Sequence, residues 1–313
     1  MGRSIAVAVV GSINTDLVMR VPRVPEHGEN LMAHGITTGR GGKGSNCAIA
    51  VARLGGTARM VGSVGQDVYG DQAMEAMQAE GVATAGISRS AEAPTGMAVI
   101  MVDDEGENTI VVARGANERL TVAHVRGALD EAAPDVVVTN YEVPFDCVQA
   151  ALDWADAHDV FAVLDAGPAR HEQPQRWGQH TVLTGNEAEI ACLLGCSRED
   201  EFRWQEGVRD LLASGLAGVV VKLGGRGAYV AAPNLESRVP AFGVPVVDTT
   251  GAGDASTAAL ALALASGKPW LEAVRYANAA GAVTVTQLGA AGAMPWRADV
   301  EALLASAGGE DDG

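Results

Sequence analysis

An apolar run from Ile5 to Val10, rich in valine and stopped by Gly11, opens the chain. A run with no polar alternation suits a strand covered on both faces, as in a parallel sheet. Similar blocks recur at 136–138, 161–164, 181–184 and 219–223, and Ala228 to Ala232 pairs beside the last of them. Arg59 to Val64 adds a strand and Leu17 to Val21 a short one. Between these blocks lie stretches of helical character: Asn46 to Leu54, a helix within 70–81, Val122 to Ala132, Phe145 to Ala157, Glu187 to Leu194 and Glu201 to Ala213. Two long Ala-rich helices at 251–266 and 270–286 follow, and a short one near Ala298 to Ala305 closes the series. Strands alternating with helices from end to end predict an α/β fold, a doubly wound, mostly parallel sheet between helices. Two places break the alternation. Met97 to Val102 and Thr109 to Ala113 flank the polar loop 103–108, a hairpin signal. With residues of the 15–40 stretch they predict a small β lid. The chain therefore reads as a single domain over 1–308, with lid segments at about 15–40 and 95–115, and a disordered acidic tail at 309–313.

Composition narrows the function. Lys plus Arg number 22 and Asp plus Glu 39, a net charge of −17 over 313 residues. So acidic a chain repels a phosphate backbone, which argues against a nucleic-acid binder with a basic face. Hydrophobic residues make up 48%, enough for a sizeable core and against global disorder. Four cysteines, Cys47, Cys147, Cys192 and Cys196, are too few for a disulfide framework. Cys192 and Cys196 lie four apart on a predicted helix, but no His or Cys cluster completes a metal site. The N-terminal apolar run reads as a buried strand rather than a signal peptide, and no stretch is long enough for a membrane span. A cytoplasmic enzyme is the expectation.

Three segments carry candidate chemistry. The strongest runs from Val246 through Asp248-Thr249-Thr250-Gly251-Ala252-Gly253-Asp254 to Ser256, where an apolar strand end meets a glycine turn and a long helix. Residues this small leave backbone N–H groups bare at the helix N-terminus, where they and the helix dipole attract an anion. Asp254 stands in the same first turn, either as a cap or as a base. Three small residues in a row exceed what capping needs, and Asp248 adds a second carboxylate. The second segment, Gly39 to Asn46, contains Gly41-Gly42-Lys43-Gly44-Ser45. Its glycines permit close approach of a ligand, and Lys43 and Asn46 supply polar groups. Alone it is a common Gly-rich turn before a helix, without P-loop spacing. The third, Gly11 to Asp16, ends the first strand, where ligands of open α/β sheets gather. Asn14 and Asp16 share one face of an extended segment or form an Asx-turn, and both readings stay open. The segment lacks the later glycines of a dinucleotide fingerprint.

Together these segments resemble the ribokinase (phosphofructokinase-B type) family of carbohydrate kinases over essentially the whole chain. Gly41 to Asn46, continuing to Gly55-Gly56, is similar to the family's N-terminal signature. Asp248 to Asp254 is similar to its more specific C-terminal signature. Gly115-Ala116-Asn117 and Met294-Pro295-Trp296-Arg297 point to the ribokinase branch. The resemblance implies that Asn14, Asp16, Gly42, Lys43, Asn46 and Glu142 hold sugar hydroxyls. It makes Asp254 the general base and the amides of Gly251, Ala252 and Gly253 an anion hole. It sets Asn186 and Glu189 near the ATP phosphates and magnesium, and Lys222, Gly224, Gly225, Gly227 and Gly253 along the nucleotide, with Asn278 near the adenine. It also implies a potassium-type cation held by Asp248, Thr250, Thr284, Gln287, Gly289 and Ala293, several through backbone carbonyls. A lid of this kind often forms the family's dimer contact, which implies a homodimer.

The chain departs from the family in places. Ala293 stands where a serine hydroxyl is common. Asp165-Ala166-Gly167-Pro168 stands where an Asn-Pro pair is usual, and Ser256-Thr257 replaces a more familiar Phe-Asn. The reaction the resemblance implies is ATP-dependent phosphorylation of O5 of D-ribose, with a small-molecule sugar and ATP as the partners. The alternatives are a kinase for fructose, 2-keto-3-deoxygluconate or adenosine, a non-catalytic sugar sensor on the same fold, and a nicotinamide-dependent dehydrogenase. The absent glycine fingerprint disfavours the last, and an intact Asp254 disfavours the sensor.

Overall fold

The computed structural model describes residues 3–307, so the predicted tail lies outside the described residues. Among the described residues thirteen strands form in chain order. They are β1 (Ala6–Val10), β2 (Asn14–Arg20), β3 (Gly35–Gly41), β4 (Thr57–Gly65), β5 (Ala83–Ser90), β6 (Gly96–Val102) and β7 (Asn108–Ala113). Then come β8 (Val136–Asn140), β9 (Phe161–Asp165), β10 (Thr181–Asn186), β11 (Gly218–Lys222), β12 (Ala228–Ala232) and β13 (Leu235–Val239). The helices are α1 (Lys43–Arg53), α2 (Val68–Ala79), α3 (Val122–Ala132), α4 (Phe145–Ala157), α5 (Glu187–Leu194), α6 (Glu201–Ala213), α7 (Ala252–Ala265), α8 (Trp270–Thr284) and α9 (Arg297–Ala307).

Nine strands make one sheet in the order β13-β12-β11-β10-β9-β8-β1-β4-β5. All its pairings are parallel except β11–β12 and β12–β13 at one edge. The valine runs are buried because successive side chains enter two different cores. Val7 and Val9 of β1 join a core with Ile49 of α1, Leu260 of α7 and Val274 of α8. Ala8 and Val10 join the opposite core with Leu129 of α3, Leu152 of α4 and Trp204 of α6. Apolar residues at both parities are what a sheet sandwiched between helix layers requires.

β1 lies between β8 and β4, so the chain winds outward on both sides of it. This is the topological switch point, and the crevice beyond the strand ends there is the natural ligand position. The predicted hairpin β6–β7 is present, antiparallel from Met97↔Ala113 to Val102↔Asn108. It joins β2 and β3 in a second sheet of order β3-β2-β6-β7, with β2 and β6 parallel. β2 leaves the switch point directly, so the lid grows out of the crevice itself.

Three strands escape the sequence reading or are left without bounds by it: β3, β5 and β13. The expected strand end at Val246-Val247 is not a strand. Residues 240–250 run as irregular backbone with both valines exposed. The amides of Val247 and Asp248 instead reach the Val285 carbonyl at 2.8 and 3.2 Å, tying this loop to the end of α8.

Candidate active site

Glycines let the first strand and the first helix meet. A Cβ on Gly44 would lie 2.6 Å from the carbonyl carbon of Gly11, so α1 starts pressed against the end of β1. Gly42 turns with φ 95°, a left-handed conformation that suits glycine, and α1 begins at Lys43. Glu142, two residues past β8, reaches this helix start. Its Oε2 accepts from the Ser12 hydroxyl and from the Lys43 amide at 3.2 Å. A carboxylate at that place gains from the helix dipole. Asn117 fixes the other flank. Its Nδ2 donates to Asn14 Oδ1 at 2.8 Å, and its own Oδ1 accepts the Ile13 amide at 2.9 Å. Asp16 follows on β2 against bare Gly41, where a Cβ would lie 2.0 Å from Asp16 Oδ1. Burial, then the charges of Glu142 and Asp254, pushes the Asp16 carboxyl up to about 6.

Asp254 enters the crevice from the first turn of α7, only 7% exposed. Its Oδ2 accepts from Asn46 Nδ2 at 2.9 Å, and its Oδ1 lies 3.4 Å from Lys43 Nζ. Burial raises its pKa; Lys43 and the Asn46 bond oppose that, Asp165 and Glu142 add to it, and the net direction is upward. Burial works the other way on the Lys43 ammonium, but Asp165, Asp254, Glu189 and Glu142 outweigh it and hold the group charged. Asn46 is 5% exposed and its Oδ1 has no partner among the described residues. A buried acceptor without a donor is a standing cost, relieved by a ligand hydroxyl.

The amides expected to form an anion hole lie at the same turn. Gly251 is the N-cap of α7, with φ 80°, and a Cβ there would strike the Met294 methyl at 2.6 Å. Among the described residues the amides of Gly251, Gly253 and Asp254 meet no acceptor, whereas that of Ala252 turns back to the Thr249 carbonyl at 3.3 Å. The open donors are therefore shifted by one residue from the predicted trio, Asp254 standing in for Ala252.

Asn186 and Glu189 form a reciprocal capping box on α5, with bonds of 2.9 and 2.8 Å. They use Asn186 Oδ1 and Glu189 Oε2. Glu189 Oε1 turns toward the centre, 2.5 Å from a Cβ built on Gly167, a position itself 2.7 Å from Lys43 Nζ. Asn186, Lys222 and Gly224 line a cavity of about 570 Å³ with Arg198 and Arg226. Gly224 and Gly227 both have positive φ, while a side chain on Gly225 would meet open space. Asn278 Nδ2 donates to the carbonyls of Val239 and Pro240 at 3.1 and 3.0 Å, so it struts the loop after β13.

Three of the residues predicted for a monovalent cation meet directly. Asp248 Oδ1 accepts the Thr250 amide and hydroxyl at 2.9 and 2.7 Å, and Oδ2 accepts the Gly289 amide at 2.9 Å. These bonds, against the effect of burial, lower the Asp248 pKa and keep it anionic. The Thr284 hydroxyl donates to the Ala280 carbonyl at 2.9 Å, which leaves its oxygen lone pairs unused, and Ala293 has no side-chain oxygen. Ala293 and Gly289 can offer only a carbonyl. No contact of the Gln287 side chain joins it to this group among the described residues, though its amide caps α8 through the Thr284 carbonyl at 3.2 Å.

One central residue was not singled out as a site residue. Asp165 closes β9 and lies between Lys43 and Lys222, at 3.4 and 2.9 Å, with the Thr257 hydroxyl at 2.9 Å. Only its departure from the family pattern marked it.

A model of the pfkB family of carbohydrate kinases matches residues 4–297. The ribokinase of Bacillus subtilis is 36% identical over 299 residues, covering 95% of this chain and 99% of that protein. A crystal structure of ribokinase from Thermotoga maritima superposes with a TM-score of 0.83 at 34% identity, over 96% of this chain and 99% of its own. A structure of Arabidopsis thaliana ribokinase complexed with ribose and ATP gives 0.84 at 30% identity, with the same coverage. With such likeness along nearly its whole length, the chain belongs to the pfkB family of carbohydrate kinases.

Proposed function

We propose that this carbohydrate kinase transfers the terminal phosphoryl group of ATP to O5 of D-ribose. One observation carries the reading most: a buried carboxylate, Asp254, is hydrogen-bonded to an Asn46 whose remaining oxygen lacks a donor, beside a helix start with open amides. A sugar alcohol fits that vacancy in kind, since each hydroxyl both donates and accepts. Asn14, Asp16, Lys43 and Glu142 surround the same crevice and supply the further acceptors and donors a polyol needs.

Phosphoryl transfer asks chiefly for positioning and charge neutralisation. Asp254 takes the proton from the attacking hydroxyl onto its carboxylate. The amides of Gly251, Gly253 and Asp254 receive the charge that builds on the transferring group. The 570 Å³ cavity bordered by Asn186 and Lys222 takes the nucleotide. Glu189 Oε1, with Asn186 nearby, suits magnesium, which binds hard oxygens and retains waters; when bound it neutralises phosphate charge. Asp248, Thr250 and the carbonyls of Thr284, Gly289 and Ala293 suit potassium, which would steady the loop leading into α7.

Exposed Ile36, Ile110, Val111 and Val112 on the lid support a homodimer through that sheet. Among the described residues no helix is long and apolar enough to cross a membrane. With four free cysteines and ATP as substrate, the reading places the enzyme in the cytoplasm. ADP release across a panel of D-ribose, fructose, 2-keto-3-deoxygluconate and adenosine, with and without magnesium and potassium, tests all of this together. D-ribose should give the highest kcat/KM, with magnesium required and potassium stimulating. A preference for another acceptor would move the chain elsewhere in its family.

A further inference from the structure

Two departures from the family's usual pattern touch one another. Asp165 stands where asparagine is usual, and Thr257, 92 residues later, also stands in place of a familiar asparagine. The Thr257 hydroxyl lies 2.9 Å from Asp165 Oδ2 and 2.8 Å from the Gly253 carbonyl, its single proton serving one at a time. The same Oδ2 accepts from Lys222 Nζ at 2.9 Å. Oδ1 accepts the Gly167 amide at 2.9 Å and faces Lys43 Nζ at 3.4 Å. Asp165 is 3% exposed. A carboxylate taken that far from water persists as an anion only when charges and donors surround it. Burial would raise its pKa, yet Lys222 and Lys43 hold it well below the usual carboxylate range.

The arrangement also fixes Lys222. Its side chain leaves the end of β11 and comes to the start of α7, where a Cβ on Gly253 would lie 3.3 Å from its Nζ. The open amides for a phosphoryl group are at that same turn. A free lysine head turns to water and keeps its rotamer freedom. Bonded to a rigid strand-end carboxylate, it stays at the cradle instead. An asparagine at 165 would keep its partners at Gly167 and Thr257 but would lose the charge that attracts Lys222.

We propose that Asp165 is a positioning residue that holds Lys222 as a second cation at the phosphoryl-transfer site, opposite Lys43. Asp165 need not touch either substrate, and the inference rests on the kinase reading above. The test is steady-state kinetics on Asp165→Asn, Lys222→Met, the double variant and Lys222→Arg, varying ATP and sugar separately. Asp165→Asn and Lys222→Met should each lower kcat by on the order of a hundredfold to a thousandfold, as for a lost transition-state donor, with the sugar KM little changed. The double variant should be no slower than Lys222→Met, since the two changes remove one interaction. It is also neutral overall at this locus, so it stays readable where a lone buried charge unfolds a single variant. Lys222→Arg should recover much of the loss. Near wild-type kcat in the double variant would overturn the proposal. So would losses that multiply, or an Asp165→Asn that lowers the melting temperature and leaves kcat intact. Turnover by the wild-type protein in the same assay reports on the kinase reading alone, so the two failures are separable.

Discussion

Asp254 is suited to take a proton because its surroundings pull in opposite directions. Burial favours its neutral acid, while Lys43 and Asn46 favour the anion, and the net effect is a raised pKa. Asp254→Asn should therefore lower kcat by about 10² to 10⁴-fold, the usual worth of a positioned base, while binding sugar and melting much as the wild type does. The acid limb of the kcat profile, lost as pH falls through the raised pKa, should disappear in that variant. A variant turning over at the wild-type rate removes Asp254 from the mechanism. Asp16 supplies a second pH dependence of opposite sense for stability. Its folded-state value of about 6 exceeds the ordinary aspartate value of 3.8, so its stabilising contribution holds below about pH 4 and is lost as pH rises through 6. Asp16→Asn should raise the melting temperature at pH 8 more than at pH 4.5, yet weaken sugar binding, since hydroxyls donate to the carboxylate. A melting shift that is equal at both pH values contradicts this. The residues around Asp254 were legible because each signature is local: Gly251 to Asp254 form one turn, and Gly41 to Asn46 one loop and helix start. Asp165 was not legible as a site residue, because Lys222, Thr257 and Lys43 stand 57, 92 and 122 residues from it.

At the scale of elements, the strands buried on both faces could be read from their unbroken valine runs, and the edges could not. Leu235 to Val239 alternates half-buried and exposed positions up to buried Val239, because one face of this edge strand packs on the core through Leu235 and Val239, and its sequence LESRV carries no apolar block. β5 has a register shift against β4 between Arg59 and Val61, which blurs its alternation. β3, GITTGRG, is exposed along all but its last residue, so only pairing with β2 makes it a strand. Val246-Val247 misled in the other direction: two β-branched residues form an exposed loop that α8 holds through Val285. The lid was legible as a hairpin that broke the alternation, but its parallel β2–β6 join was not, since that pairing links segments far apart in sequence. β7 is exposed along its full length, with Ile110, Val111 and Val112 in succession. An uncovered apolar edge strand of this kind invites pairing with a second copy. Ile36→Lys combined with Val111→Lys should convert a dimer to a monomer in light scattering. A mass unchanged by the pair of substitutions would place any interface elsewhere.

On the scale of the whole molecule, the candidate site lies at the switch point and draws residues from elements on both sides of the sheet. Lys43, Asn46 and Asp254 come from α1 and α7, which cover one face. Glu142 follows β8, Asn186 ends β10 and Glu189 lies in α5, and the helices after those strands, α4 and α5, cover the other. A net charge of −17 opposes an anionic nucleotide at long range, so local groups must dominate close to the site. Lys43, Lys222 and the open amides of α7 are those groups. In the proposed reaction these amides hold the migrating phosphoryl while Asp254 deprotonates the sugar. A crystal structure with a non-hydrolysable ATP analogue and D-ribose tests it most directly. The terminal phosphate should lie within hydrogen-bonding distance of the Gly253 and Asp254 amides, with Asp254 Oδ1 or Oδ2 bonded to the ribose O5 hydroxyl. A phosphate seated away from α7, or an Asp254 with no sugar oxygen in reach, would contradict it.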